Sequence, residues 1–183
     1  MYRKCVTEVS VRHQKQVEDA LLELMRKMPY EDITVTTLCR AAGLSRRVFY
    51  HLFTNKSDAL LALVDHRILA SEKHDTVNED EVLRFFRYWK EQQPLLDALQ
   101  ANRQTGLLLE RMIENAIREE YDLRYWLKRN GWEKERDLIV FYFTGAMGLI
   151  YRWHYGGFRE TPEEMAELLY RIITVPLVGN SSK

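Results

Sequence analysis

Apolar residues recur at three- and four-residue spacing along almost the whole chain, while few β-branched runs leave material for strands. A helix turns every 3.6 residues, so this spacing predicts an all-α protein. In the first segment Val17, Ala20, Leu21, Leu24, Met25 and Met28 form one stripe that stops before Pro29, whose ring disfavours a helical residue in front of it. Thr34 is placed to cap a short second helix carrying Leu38, Cys39 and Ala42, and Gly43 supplies the left-handed residue that ends it. Ser45 caps a third short helix with Phe49, Leu52 and Phe53 turned inward, which leaves Arg46, Arg47, Tyr50 and His51 pointing elsewhere. Asn55 then caps a longer helix from Lys56 to about Glu72, with Asp58 at the positive end of its dipole.

The polar stretch from Ser71 to Asp80, almost without apolar residues except Val77, marks a boundary. Beyond it the periodicity predicts helices at 79–92, 94–101, 104–128, 134–155 and 162–175. Gly156-Gly157 stops the fourth of these. Thr161-Pro162-Glu163-Glu164 starts the last with an N-cap, a first-turn proline and a capping-box glutamate.

Composition adds that 46% hydrophobic and 30% charged residues make a core-forming globular chain rather than a disordered one. The apolar run from Leu138 to Tyr151 is shorter than the roughly 20 residues a membrane span needs, and the N-terminus carries no apolar signal segment. A cytoplasmic location without membrane contact is therefore expected. Cys5 and Cys39 form no C-x-x-C pair, so reduced thiols are expected, with no metal and no cofactor. The formal charge is zero, which by itself argues against nucleic acid. Its distribution points the other way: residues 1–56 carry a net +4 and residues 57–183 a net −4. A basic module joined to an acidic one suits a protein that meets phosphates at one end. No glycine-rich phosphate loop, H-E-x-x-H or G-x-S-x-G occurs, so an enzyme is not expected.

Two short helices joined across Ala42-Gly43-Leu44-Ser45, behind a longer amphipathic one, match the helix-turn-helix plan. The stretch from Thr34 to Leu60, with its Ala-Gly-Leu-Ser turn, Tyr50-x-x-Phe53 pair and Lys56 before an apolar helix, resembles the TetR/AcrR (tetracycline repressor-like) regulators over residues 10–66. The segment from Gly145 to Met165 is more weakly similar to the subset typified by the regulator of dihydroxyacetone kinase operons. The resemblance implies that Thr34 or Thr36, Tyr50 and Lys56 hold phosphates. It leaves Arg46, Arg47, Val48 and His51, behind Ser45 at the helix head, to enter the groove. Arg47 and Val48 stand where the family commonly has small residues, so no relative's operator sequence carries over.

The resemblance further implies a homodimer through the last two long helices, gripping a near-palindromic operator. The first of the two carries apolar residues on nearly every side, more than its own subunit covers. Leu138, Tyr142 and Leu149 on it, with Met165, Leu169 and Ile172 on the last helix, are the expected interface. Gly145 and Gly148 suit either close helix approach or space for a ligand. Phe85, Trp89, Trp126, Phe141, Tyr142 and Trp153 are candidates to line a pocket for an unidentified small-molecule effector, against the alternative that they are core. This divides the chain into a DNA-binding domain at 1–56, a connector helix and linker at 57–78, and an effector-binding and dimerisation domain at 79–183. Release of a repressor by the effector is the expected mechanism. A ligand-dependent activator, or a helical dimerisation module that has lost DNA binding, is the alternative.

Overall fold

A computed structural model of the chain describes residues 2, 7–71, 80–117 and 136–174. Nine α-helices and no strand occur among the described residues. They are α1 (Glu8–Met25), α2 (Val35–Ala42), α3 (Arg46–Leu52), α4 (Lys56–Ser71), α5 (Glu81–Glu91), α6 (Gln93–Ala101), α7 (Thr105–Ile117), α8 (Arg136–Tyr155) and α9 (Pro162–Thr174), with a 3-10 turn at Tyr30–Asp32. The helix expected over 104–128 is described as far as Ile117, and its remainder lies outside the described residues.

Local chemistry sets the boundaries where the sequence placed its signals. Thr34 and Ser45 accept the N–H groups of Thr37 and Val48 with their hydroxyls, satisfying donors that a helix start leaves orphaned. Gly43 ends α2 at φ 67°, and Leu44 N–H reaches back to the Cys39 carbonyl at 3.0 Å. That is a Schellman ending, which needs a left-handed residue in the glycine's place. Asn55 caps α4 through the Asp58 N–H. At the other end of the chain Thr161 and Glu164 cap α9 reciprocally, each side chain taking the other's backbone N–H.

One continuous apolar core runs from α1 to α9. α4 lies at its centre: Ala59, Leu60, Ala62, Leu63, Val64 and Ile68 are all buried, as is Asp65. It packs on α1 on one side and on α7 on the other. A carboxylate buried among apolar residues costs free energy unless it is paired. Arg111 of α7 supplies that pair bidentately, with Nε and Nη2 each 2.7 Å from one oxygen of Asp65. Tyr2 adds a hydroxyl hydrogen bond to the same carboxylate at 3.0 Å. His66, the next residue, bonds Glu18 of α1 at 2.8 Å. Farther along, α9 packs on α5 and α8 on α7.

The aromatic residues expected around a ligand are not gathered about one space among the described residues. Trp89 and Trp153 are fully buried, and Phe86 meets Trp153 edge to face in the core. Phe85 lies half-buried against Phe86 and Trp89. Phe141 stands on the surface beside the part-buried Tyr142, and Trp126 lies outside the described residues.

Candidate nucleic-acid interface

The third helix sorts its side chains by direction. Phe49 and Leu52 are buried and hold α3 against α1 and α2. Arg46, Arg47, Tyr50 and His51 are exposed on the side away from the core, Tyr50 at 47%. Arg46 Nη2 reaches the Tyr50 hydroxyl at 3.4 Å, and its guanidinium carbon lies 5.8 Å from the ring centre. Cation and phenol thus travel together along one edge, one a fork of donors for base edges or phosphate and the other a donor beside it. Val48 is half-buried, its backbone N–H held by Ser45.

Thr34 and Thr36 are exposed at the head of α2. The hydroxyls of Thr34 and Thr37 lie 2.9 Å apart, so Thr34 serves the cap and remains at the surface. Lys56 has a second occupation in the protein by itself. Its ammonium donates to the Tyr30 and Glu31 carbonyls at 2.6 and 2.9 Å and stands 4.4 Å from the Tyr30 ring centre. An ammonium has three donors, so two carbonyls leave one for a phosphate.

Beside α3 lies a cleft of about 540 Å³, walled by Arg47, Val48, Tyr50, His51 and Leu52 on one side and by Thr7, Val9, Ser10 and His13 of the first turns of α1 on the other. The α1 residues carried no signal in the sequence, because they precede the apolar stripe and only the tertiary fold brings them to α3. Cys39 is buried beneath this surface, and burial pushes its thiol pKa up while the Arg46 charge opposes the shift. A thiol so shifted is a poor nucleophile. Among the described residues no three His, Cys, Asp or Glu side chains come together to hold a metal ion, and no helix is long and apolar enough to cross a membrane.

The residues expected at a dimer interface divide as well. On α8, Met147, Ile150 and Trp153 face the core, while Phe141 (59% exposed), Gly145, Gly148, Arg152 and Tyr155 (55% exposed) line the outer side at helical spacing, Arg152 paired with Glu160. A Cβ built on Gly145 or Gly148 meets nothing within 4 Å, so neither glycine makes room for a group of its own subunit. Tyr142, Leu149 and Leu169 are part-buried, and Ile172 is exposed. Met165 is only 1% exposed, so the outer face of α9 does not include it. The side chain of Leu138 lies outside the described residues.

An all-α chain presenting a basic, tyrosine-bearing helix after a glycine turn is a helix-turn-helix regulator in its architecture. Residues 79–175 match the model of a transcriptional regulator C-terminal region, and residues 19–63 match that of the bacterial regulatory proteins of the tetR family. The chain belongs to the TetR family of transcriptional regulators, which are not enzymes. Among solved structures it is similar to a Rhodococcus sp. RHA1 protein assigned as a transcriptional regulator, at TM-score 0.55 and 18% identity over 90% of this chain and 97% of that one. It is also similar to the fatty acid degradation regulator FadR from Bacillus halodurans, at TM-score 0.50 and 15% identity over 95% and 98%. At these identities the likeness concerns the fold. No curated protein matches the sequence. Neither the family models nor these structures single out the dihydroxyacetone kinase subset.

Proposed function

We propose that this regulator binds a near-palindromic operator in duplex DNA as a homodimer, and that a small-molecule effector acting on its C-terminal helices releases it and lifts repression. The observation that carries the reading is the division of α3, with Phe49 and Leu52 anchored inside and Arg46, Arg47, Tyr50 and His51 presented outside. Guanidinium forks reach guanine edges in the major groove, and the phenol and the Thr34, Thr36 and Lys56 donors suit phosphates flanking it. Residues 1–56 act as the DNA-binding part, 57–78 as the connector and 79–183 as the effector-binding and dimerisation part. The outer stripe of α8, with exposed Phe141 and two glycines ahead of Arg152 and Tyr155, supports a twofold pairing that duplicates α3. Effector binding would reach α3 through α4, whose Asp65 is gripped by α7, shifting the population toward dimers with wrongly spaced recognition helices. The site of action is the cytoplasm, where the operator lies.

The test is retardation and fluorescence anisotropy with the chain's own upstream intergenic DNA at two salt concentrations. Specific retardation with a steep salt dependence is expected. A protein that forms dimers but binds no duplex is the dimerisation module instead. In a reporter strain repression is expected; a rise in transcription on adding the regulator would reverse its sign.

A further inference from the structure

The end of α6 contains an amide whose three hydrogen bonds all serve the other half of the molecule or its own helix. Asn102 is 7% exposed. Its Oδ1 accepts the Tyr30 N–H at 2.6 Å, and its Nδ2 donates to the Met25 carbonyl at 2.9 Å and to the Ala98 carbonyl at 2.7 Å. Met25 is the last residue of α1 and Tyr30 the first of the 3-10 turn that leads into α2. One side chain from α6 thus pins both ends of the connection that enters the helix-turn-helix.

What the pinned turn does is hold a cation. The Tyr30 and Glu31 carbonyls accept from Lys56, the Tyr30 ring lies under the same ammonium, and the Tyr30 hydroxyl donates to Ser57 at 3.2 Å. Both residues at the head of α4 are therefore located by the backbone and ring of the residue that Asn102 grips. We propose that Asn102 is a positioning residue for DNA binding: it fixes the Tyr30–Glu31 turn and, through it, the Lys56 ammonium at the place where an operator phosphate meets it. The proposal rests on the DNA-binding reading above.

The backbone around Asn102 depends on the same bonds. α6 ends as α2 does, in a Schellman motif: Arg103 N–H bonds the Gln100 carbonyl and Gln104 N–H the Leu99 carbonyl. On α2 the left-handed position belongs to glycine; here it belongs to Arg103, at φ 56°. A side chain is disfavoured in that conformation and persists there only where surrounding contacts hold it. The Asn102 bonds to Tyr30 and Met25 are such contacts. The turn is held by its partner across the chain rather than by its own residue type.

The experiment is a double-mutant cycle. Wild type, Asn102→Ala, Lys56→Ala and the double variant are titrated, over a range of salt, against a labelled duplex that the wild-type protein selects from a randomised pool. Each single variant is expected to weaken binding several-fold and to reduce the steepness of log K against log salt by about 1.8, the loss of one phosphate contact in each of the two subunits. The double variant is expected to bind no more weakly than Lys56→Ala alone, because the two changes remove the same contact. Single effects that multiply, an unaltered salt slope in Asn102→Ala, or a Lys56→Ala protein that binds as wild type each overturn the proposal while leaving the DNA-binding reading intact. A wild type that selects no duplex overturns both. Should Asn102→Ala not fold, hydrogen exchange on wild type decides: the Tyr30 amide is expected to exchange slowly and more slowly still with duplex bound, and fast exchange in both states overturns the proposal.

Discussion

On α3 the side turned from the core carries Arg46, Arg47, Tyr50 and His51, whereas on α8 it carries Phe141, Gly145, Gly148, Arg152 and Tyr155. Both helices bury their other side in the same continuous core, through Phe49 and Leu52 in one case and Met147, Ile150 and Trp153 in the other. The difference lies in what water does to the side left over. Guanidinium, phenol and imidazole groups are well solvated, so α3 is stable outward, and the same donors suit phosphate and base edges. On α8 Arg152 is well solvated, but the rings of Phe141 and Tyr155 are poorly so, and covering such rings gains roughly 25 cal/mol for each Å² of apolar surface removed from water. The chemistry of an unburied helix face, more than its position, tells which kind of partner it waits for.

The strongest way to break this comparison is to make the α8 face resemble that of α3. Gly148→Arg adds a charged side chain where a Cβ meets nothing within 4 Å among the described residues, so the fold is expected to be retained. Light scattering is expected to find monomers, with operator affinity reduced on the order of a hundredfold because the two half-sites are no longer bound together. A persisting dimer would place the interface elsewhere. The converse change, Arg46→Ala, is expected to weaken operator binding by about tenfold or more while affecting random-sequence duplex far less, read by anisotropy on both probes. Equal losses on the two would assign Arg46 to phosphate rather than to a base.

A smaller effect separates support from contact. Thr34→Ala removes the hydroxyl that accepts the Thr37 N–H and is expected to cost about 1 kcal/mol in denaturant unfolding. Any loss of operator affinity measured well below the unfolding transition then reports a phosphate contact. The smallest effect concerns the joint between α1 and α4. The hydrogen bond to Glu18 raises the His66 pKa above its ordinary 6.5, against burial, which lowers it. The folded state therefore holds the proton more tightly than the unfolded one. This contribution is complete below pH 6.5 and is lost as pH rises through the raised value. The unfolding midpoint is expected to decline over that window in wild type, and His66→Gln to flatten the decline. A decline that survives the substitution assigns it to another group.

Helix content, the caps at Thr34, Ser45, Asn55 and Thr161, the glycine ending of α2 and the donors on α3 were all legible in the sequence. Each depends on residues within one or two turns of each other, where spacing alone dictates geometry. The apolar stripe of α9 was legible too, but not its orientation: Met165 faces its own core while Ile172 faces out, and periodicity does not say which neighbour a helix meets. Residue type alone favours core for Trp89 and Trp153 without deciding their neighbours, and the fold buries both, with Phe86 edge to face on Trp153.

What the chain determined by itself is therefore local: where helices start and stop, and which chemistry each carries. What only the tertiary structure decided is which distant groups share a bond. Asn102 and Tyr30 stand 72 residues apart, and Arg111 and Asp65 stand 46 apart. Such bonds leave no periodic trace, because an asparagine at a helix end and an arginine on a helix flank look the same in sequence whether they meet water or a partner. Their partners are set by the packing of α4 between α1 and α7, which the apolar core as a whole imposes.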